Sequence, residues 1–250
     1  MKDIYLVPQN APCVSAGMNI LNSPRGECPK ATDVSPWYGV YFAILWCFLG
    51  LVLLVSAVEA DAAERKAILF LGNSLTAGYG LDRDQAFPAL IQEKIDSLGW
   101  NFEVINAGQG GDTTAGGLRR LDWLLSRKVH VLVLELGAND GLRGVAPKVT
   151  RQNLQAIIER TKEHNPNVSV VLAGMQLPPN LGEGYASQFK AIFPDLAKKN
   201  GAFFIPFLLE GVGGVEELNL ADGIHPDVEG HKIVAENVWK VMEPILRSMK

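Results

Sequence analysis

From about residue 66 onward, short apolar runs alternate with longer segments in which apolar residues recur every three or four positions. Runs at Ala67–Leu71, Glu103–Asn106, Val131–Leu136, Ser169–Ala173 and Ala202–Ile205 predict five strands. A strand that is apolar at consecutive positions is covered on both faces, which is the signature of a parallel sheet. The segments between them predict helices. Near 150–163, Leu154, Ile157, Ile158 and Thr161 share one face, and near 230–249 Ile233, Val234, Val238, Val241 and Ile245 do the same. Strands and helices alternating at this spacing predict an α/β domain with helices on both faces of the sheet, a three-layer α/β/α sandwich.

The pattern before residue 63 is different. Residues 37–58, about the length that spans a bilayer, carry no charge and include the apolar run Ala43–Val55. Small residues follow at Ala57, Ala60, Ala62 and Ala63, which suits cleavage around Ala60-Asp61-Ala62. The polar leader 1–36 leaves two readings open: a signal peptide whose true start is downstream, such as Met18, or an uncleaved signal anchor. The chain therefore divides into a leader at 1–36, a hydrophobic signal peptide or anchor at 37–62 and an α/β domain at 63–250. On the apolar segment alone, the domain is expected to be exported, periplasmic or membrane-anchored and facing the periplasm or outside; the Lys and Arg counts at its two flanks are nearly balanced and do not set an orientation.

Charge and cysteine content narrow the function classes. With 23 basic and 27 acidic residues the net charge is −4, and the basic residues are scattered, so there is no electrostatic footprint for nucleic acid. Cys13, Cys28 and Cys47 all precede the domain, which is thus expected to hold no disulfide. No cluster of metal-ligating residues stands out, and the expected chemistry needs no cofactor.

Nucleophilic chemistry has candidates at the predicted strand ends. Ser74 lies just past the first strand, beside Gly72, in the crevice where open α/β sheets bind ligands. Taken alone, it reads more readily as the N-cap of the next helix, and the other motifs reverse that preference. A serine hydroxyl needs a neighbouring base, and the chain has four histidines. His130 opens the third strand at the edge away from the crevice, His164 lies near a helix end, and His231 falls inside the last helix on a surface or groove face. His225 alone lies in a Gly/Pro-punctuated loop, three residues after Asp222, so the two can act as base and orienting acid. Asn139, after the third strand, can aim its side-chain amide at a developing oxyanion. In the turn Asn106–Thr113, Gly110 and Gly111 allow a backbone N–H to approach a substrate. No lysine follows that turn in the pattern of a phosphate-binding loop.

Three stretches in order, Gly72-Asn73-Ser74-Leu75, Gly137-Ala138-Asn139-Asp140 and Asp222-Gly223-Ile224-His225-Pro226, resemble the signature blocks of the SGNH, or GDSL, hydrolase superfamily. Within it, the chain is most similar to the bacterial arylesterases, acyl thioesterases and lysophospholipases. The resemblance runs from about Ala67 to the C-terminus. It implies a flavodoxin-like parallel five-stranded sheet and a serine esterase without cofactor. It also implies Ser74 as nucleophile, with Asp222 and His225 completing the triad, and Ser74, Gly111 and Asn139 as oxyanion donors. One position departs from the family pattern: Asn73 stands where Asp is common. Asn keeps an acceptor oxygen and adds donors but carries no charge, so the expected effect is on the turn and its electrostatics rather than on the reaction type.

Expected substrates are small acyl esters or thioesters, including aryl esters and lysophospholipids. The loop Met175–Tyr185, rich in apolar, Gly and Pro residues, serves either as the wall of an acyl groove or as a rigid surface connection. A carbohydrate O-deacetylase and a catalytically silent, membrane-tethered binding domain are the alternative functions on the same scaffold. If the N-terminal segment is retained, the membrane is a further partner; nucleic acid is not.

Overall fold

The computed structural model describes residues 64–250, so the leader, the apolar segment and the expectations attached to them lie outside the described residues. Five strands form among the described residues: β1 Lys66–Gly72, β2 Phe102–Gly108, β3 Val131–Glu135, β4 Ser169–Ala173 and β5 Phe203–Ile205. All pair in parallel in the order β2-β1-β3-β4-β5. This is the flavodoxin-like order that the resemblance implied, with its topological switch between β1 and β3.

Among the described residues seven α-helices connect and close the sheet: α1 Ser74–Ala77, α2 Phe87–Ser97, α3 Thr114–Leu124, α4 Ala138–Leu142, α5 Pro147–His164, α6 Glu183–Asn200 and α7 Val228–Ser248. On one side α2 packs on α7, and on the other α5 packs on both α3 and α6. Right-handed crossovers from a strand order that runs outward in both directions from β1 require this split, and it gives the three layers. No helix among the described residues is long and apolar enough to cross a membrane.

The core lies where the central strands are covered twice. Ala67 to Leu71 of β1 and all of β3 are buried, and each fully buried Leu, Ile or Phe contributes about 1.5–3 kcal/mol. Helix α5 buries Thr150, Leu154, Ile157, Ile158 and Thr161, the face that its periodicity predicted. Helix α7 is rotated relative to expectation. Its buried stripe is His231, Val234, Ala235, Val238, Met242, Ile245 and Leu246, while Ile233 and Val241 sit at the flank.

His231 is accordingly a core residue, 1% exposed, rather than one on a surface or groove face. Its Nδ1 accepts the Phe87 N–H at 3.1 Å, a donor at the start of α2 that has no intrahelical partner. The ring also stacks on Phe87, with centroids 6.0 Å apart. A satisfied polar group is tolerated in the core. Hydrophobic periodicity gives a histidine no such weight, so the sequence pattern alone sets the stripe at a different angle.

Candidate active site

The ends of β1, β2 and β3 and the loop before α7 converge on one cavity of about 800 Å³ at the carboxyl edge of the sheet. Ser74 opens α1 directly after β1. The helix N-cap is Asn73, not Ser74: the Asn73 side chain accepts the Leu75 N–H at 2.9 Å. That leaves the Ser74 hydroxyl free of capping duty. As the first helical residue, Ser74 also has a backbone N–H without an intrahelical partner. The turn is tight because residue 72 is glycine. A Cβ there would lie 2.0 Å from Thr76 Oγ1 and 2.6 Å from Glu135 Oε2.

His225 and Asp222, the expected base and orienter, lie in a row with Ser74. His225 Nε2 is 2.9 Å from Ser74 Oγ, and His225 Nδ1 is 2.7 Å from Asp222 Oδ2. The other carboxylate oxygen of Asp222 accepts the Ile224 and His225 N–H groups, both at 3.0 Å. Those backbone donors, the Ile224 N–H foremost, and the His225 ring hold the Asp222 carboxyl well below the usual range, at about 2. Across ordinary pH the imidazole therefore faces a charged carboxylate, which fixes its tautomer. Tyr79 lies against His225, with ring centroids 4.5 Å apart and the planes tilted by 36°. This contact limits the ring's swing and has no signature in the sequence.

The two further oxyanion candidates line the same cavity as Ser74. Asn139 is in the first turn of α4, and its Nδ2 donates to Asp112 O at 2.9 Å, leaving the second amide hydrogen available. Gly111 has φ of 78°, a left-handed conformation that favours glycine. Its carbonyl accepts Arg143 Nη2 at 3.0 Å, and among the described residues its N–H has no partner.

Polar groups beyond the expected site residues tie these turns together. Arg120 donates to Asp112 at 2.7 Å and to Gly72 O at 3.0 Å, joining the β1 turn to the glycine-rich loop. Buried Asp140 accepts the Thr114 N–H at 2.8 Å and the Thr114 hydroxyl, joining α4 to the start of α3. Beneath Ser74, fully buried Glu135 binds Asn73 and Thr76. One acid in an otherwise apolar, doubly covered strand was the signal for Glu135, since a buried carboxyl is found only with partners.

His130 and His164 are not in the cavity. His130 Nδ1 accepts the Ala67 N–H at 3.1 Å at the opposite edge of the sheet, and His164 ends α5. Of the loop with two open readings, Met175 to Pro178 line the cavity, together with Leu142, Phe207, Leu209 and Ile224. Among the described residues no cluster of three or more metal-ligating side chains occurs.

The sequence model of the GDSL-like lipase/acylhydrolase family matches residues 70–233. The chain is 41% identical to esterase TesA of Pseudomonas aeruginosa over 198 residues, 79% of this chain and 96% of that protein. It is 38% identical to thioesterase 1/protease 1/lysophospholipase L1 of Escherichia coli strain K12, over 80% of this chain and 92% of that one. Among solved structures it resembles the psychrotrophic esterase EstA from Pseudoalteromonas sp., in a form inhibited by monoethylphosphonate. That match has a TM-score of 0.69 and 31% identity, and covers 73% of this chain and 99% of that chain. The chain belongs to the GDSL-like lipase/acylhydrolase family and is a serine ester hydrolase.

Proposed function

We propose that Ser74 is the nucleophile of a two-step acyl transfer, with His225 as general base and then general acid, and Asp222 as its orienter. The observation that carries this reading is the unbroken hydrogen-bond chain Asp222–His225–Ser74 opening on an apolar cavity. As Ser74 Oγ attacks the carbonyl carbon, its proton passes to His225 Nε2. The imidazolium formed is stabilised by the Asp222 carboxylate. Charge on the carbonyl oxygen is met by the Ser74 N–H, the Gly111 N–H and the Asn139 amide, each such donor worth about 3 kcal/mol. The imidazolium then protonates the leaving oxygen or sulfur. His225 next takes a proton from water, which attacks the acyl-enzyme, and the acid is released with Ser74 restored.

The substrate class follows from the cavity walls. Leu142, Met175, Leu177, Phe207, Leu209 and Ile224 suit an alkyl or aryl acyl group and offer a sugar ring few partners. Carboxylic esters and thioesters of short to medium acyl chains are the proposed substrates, in keeping with relatives named esterase and thioesterase/lysophospholipase. Export is proposed from the apolar segment 37–58, and N-terminal sequencing of the mature protein separates a cleaved signal from a retained anchor. The test of function is turnover of p-nitrophenyl esters from acetate to palmitate by wild type and Ser74→Ala. Serine-dependent hydrolysis with an optimum at short to medium chain length is expected. Equal rates in the two proteins would overturn the assignment of Ser74.

A further inference from the structure

Below the nucleophile turn lies a polar knot sealed from solvent: Glu135, Asn73 and Thr76 are each at most 1% exposed. Three donors converge on the Glu135 carboxyl. The Asn73 N–H reaches Oε2 at 3.1 Å, the Thr76 hydroxyl reaches Oε2 at 2.8 Å, and Asn73 Nδ2 reaches Oε1 at 2.9 Å. The orientation of the Asn73 amide is fixed from both ends, because its Oδ1 accepts the Leu75 N–H while its Nδ2 donates to Glu135. Turning it over would face two N–H groups at one end and two oxygens at the other. Residues 73 to 76 surround Ser74 in sequence, so this knot sets where the Ser74 backbone sits.

We propose that Asn73 and Glu135 form a donor–acceptor couple that positions Ser74 without a shared proton, so that turnover does not decay as pH rises above neutral. This rests on the reading of Ser74 as nucleophile. Where the family pattern places Asp, a carboxyl at residue 73 would still accept the Leu75 N–H but would turn its other oxygen on Glu135. Two facing carboxyls in a dry site cannot both ionise, and one must keep a proton. When that proton leaves, the turn loses its tie. Asn supplies a permanent donor in its place.

The other titratable or charged groups around the turn do not neutralise Glu135. From α3, Arg120 reaches the Gly72 carbonyl and pairs with Asp112. From the loop before α7, His225 faces the Ser74 hydroxyl on the cavity side. From β2, uncharged Asn106 donates to Thr76 O at 2.9 Å. Among the described residues no Lys, Arg or His forms an ion pair with Glu135. Burial pushes its carboxyl up to about 7 against the pull of the donors from Thr76 and Asn73, so above neutral it is the charged acceptor that Asn73 needs.

The test is a swap, read as kcat and KM for p-nitrophenyl butyrate from pH 7 to 10. Asn73→Asp is expected to lose kcat progressively from its own value at pH 7 as the pH rises to 10, a loss that wild type does not show, with KM little changed. Glu135→Gln, which sets an NH2 against the Asn73 amide, should lose about tenfold or more in kcat at every pH. The double variant Asn73→Asp/Glu135→Gln restores one donor facing one acceptor, with donor and acceptor exchanged. It should return to within about threefold of wild type and regain a flat alkaline profile. A purely structural role for Glu135 would show no such rescue. An Asn73→Asp profile that parallels wild type, or a double variant that is insoluble or no better than the worse single variant, would overturn the proposal. If Glu135→Gln alone fails to fold, the comparison of Asn73→Asp with the double variant still decides. Ser74→Ala is run alongside, so that failure of the nucleophile assignment is scored separately.

Discussion

Lowering the pH should expose a buried histidine that takes no part in catalysis. His231 is neutral in the core, and burial lowers its pKa from the ordinary 6.5 to about 4. Above pH 6.5 the folded and unfolded chains both hold it neutral, and it adds no pH dependence. Between 6.5 and 4 the unfolded chain binds a proton that the folded chain refuses, so stability falls as pH falls and levels off below 4. From pH 7 to pH 5 these values give a loss of about 2 kcal/mol. Glu135 has the opposite sign. Its folded value of about 7 lies above the ordinary 4.5, so the folded chain binds the proton first as pH drops. Over the same interval it adds about 2 kcal/mol. In the wild type the two contributions nearly cancel. His231→Gln keeps an oxygen to accept the Phe87 N–H but cannot titrate, and it should leave the Glu135 contribution uncompensated. Urea unfolding of both proteins at pH 7, 6 and 5 measures this, with the fluorescence of Trp100, a 5%-exposed side chain, as reporter. The variant should gain about 2 kcal/mol relative to wild type between pH 7 and pH 5. The same pH dependence in both proteins would refute the reasoning.

Other predictions bear on the reaction itself. Asn139→Ala should lower kcat by about 10²–10³ with KM little changed, because its amide acts on charge present only in the transition state. Asp222→Asn removes a charge held at every working pH; as Asp222 is partly exposed, water replaces some of its effect, and the loss should be about 10²–10³ rather than the about 10⁴ of a buried triad acid. Gly111→Ala tests backbone geometry alone, since the added Cβ would meet only Arg143 Nη2 at 3.5 Å. With φ at 78° it costs about 1–2 kcal/mol of strain. That strain should appear as a lowered Tm together with reduced kcat.

Much of this molecule is legible in its sequence because its determinants are local. Five apolar runs mark the strands, as a doubly covered strand cannot be polar at alternate positions. The short spacing from Asp222 to His225 is enough for a single loop to join them. The remaining features depend on contacts between residues far apart in the chain. The depth of His231 is set by a backbone N–H of Phe87, 144 residues away. Glu135 is tolerable in β3 only because Asn73 and Thr76 arrive from the other side of a parallel pair. Arg120 reaches Gly72 across 48 residues, and Tyr79 meets His225 only through the fold. Asn73 shows both sides of this. Its departure from the family pattern is visible in the sequence, but its consequence depends on the acid that it faces.

The central claim is that Ser74 attacks the substrate with His225 as its base. The most direct test is the mass of the protein after reaction with an ester-type phosphonate, followed by mapping of the modified peptide. A single adduct on Ser74, lost in Ser74→Ala and formed far more slowly in His225→Ala, is the predicted result. An adduct on another residue, or none in a protein that still hydrolyses esters, would contradict it.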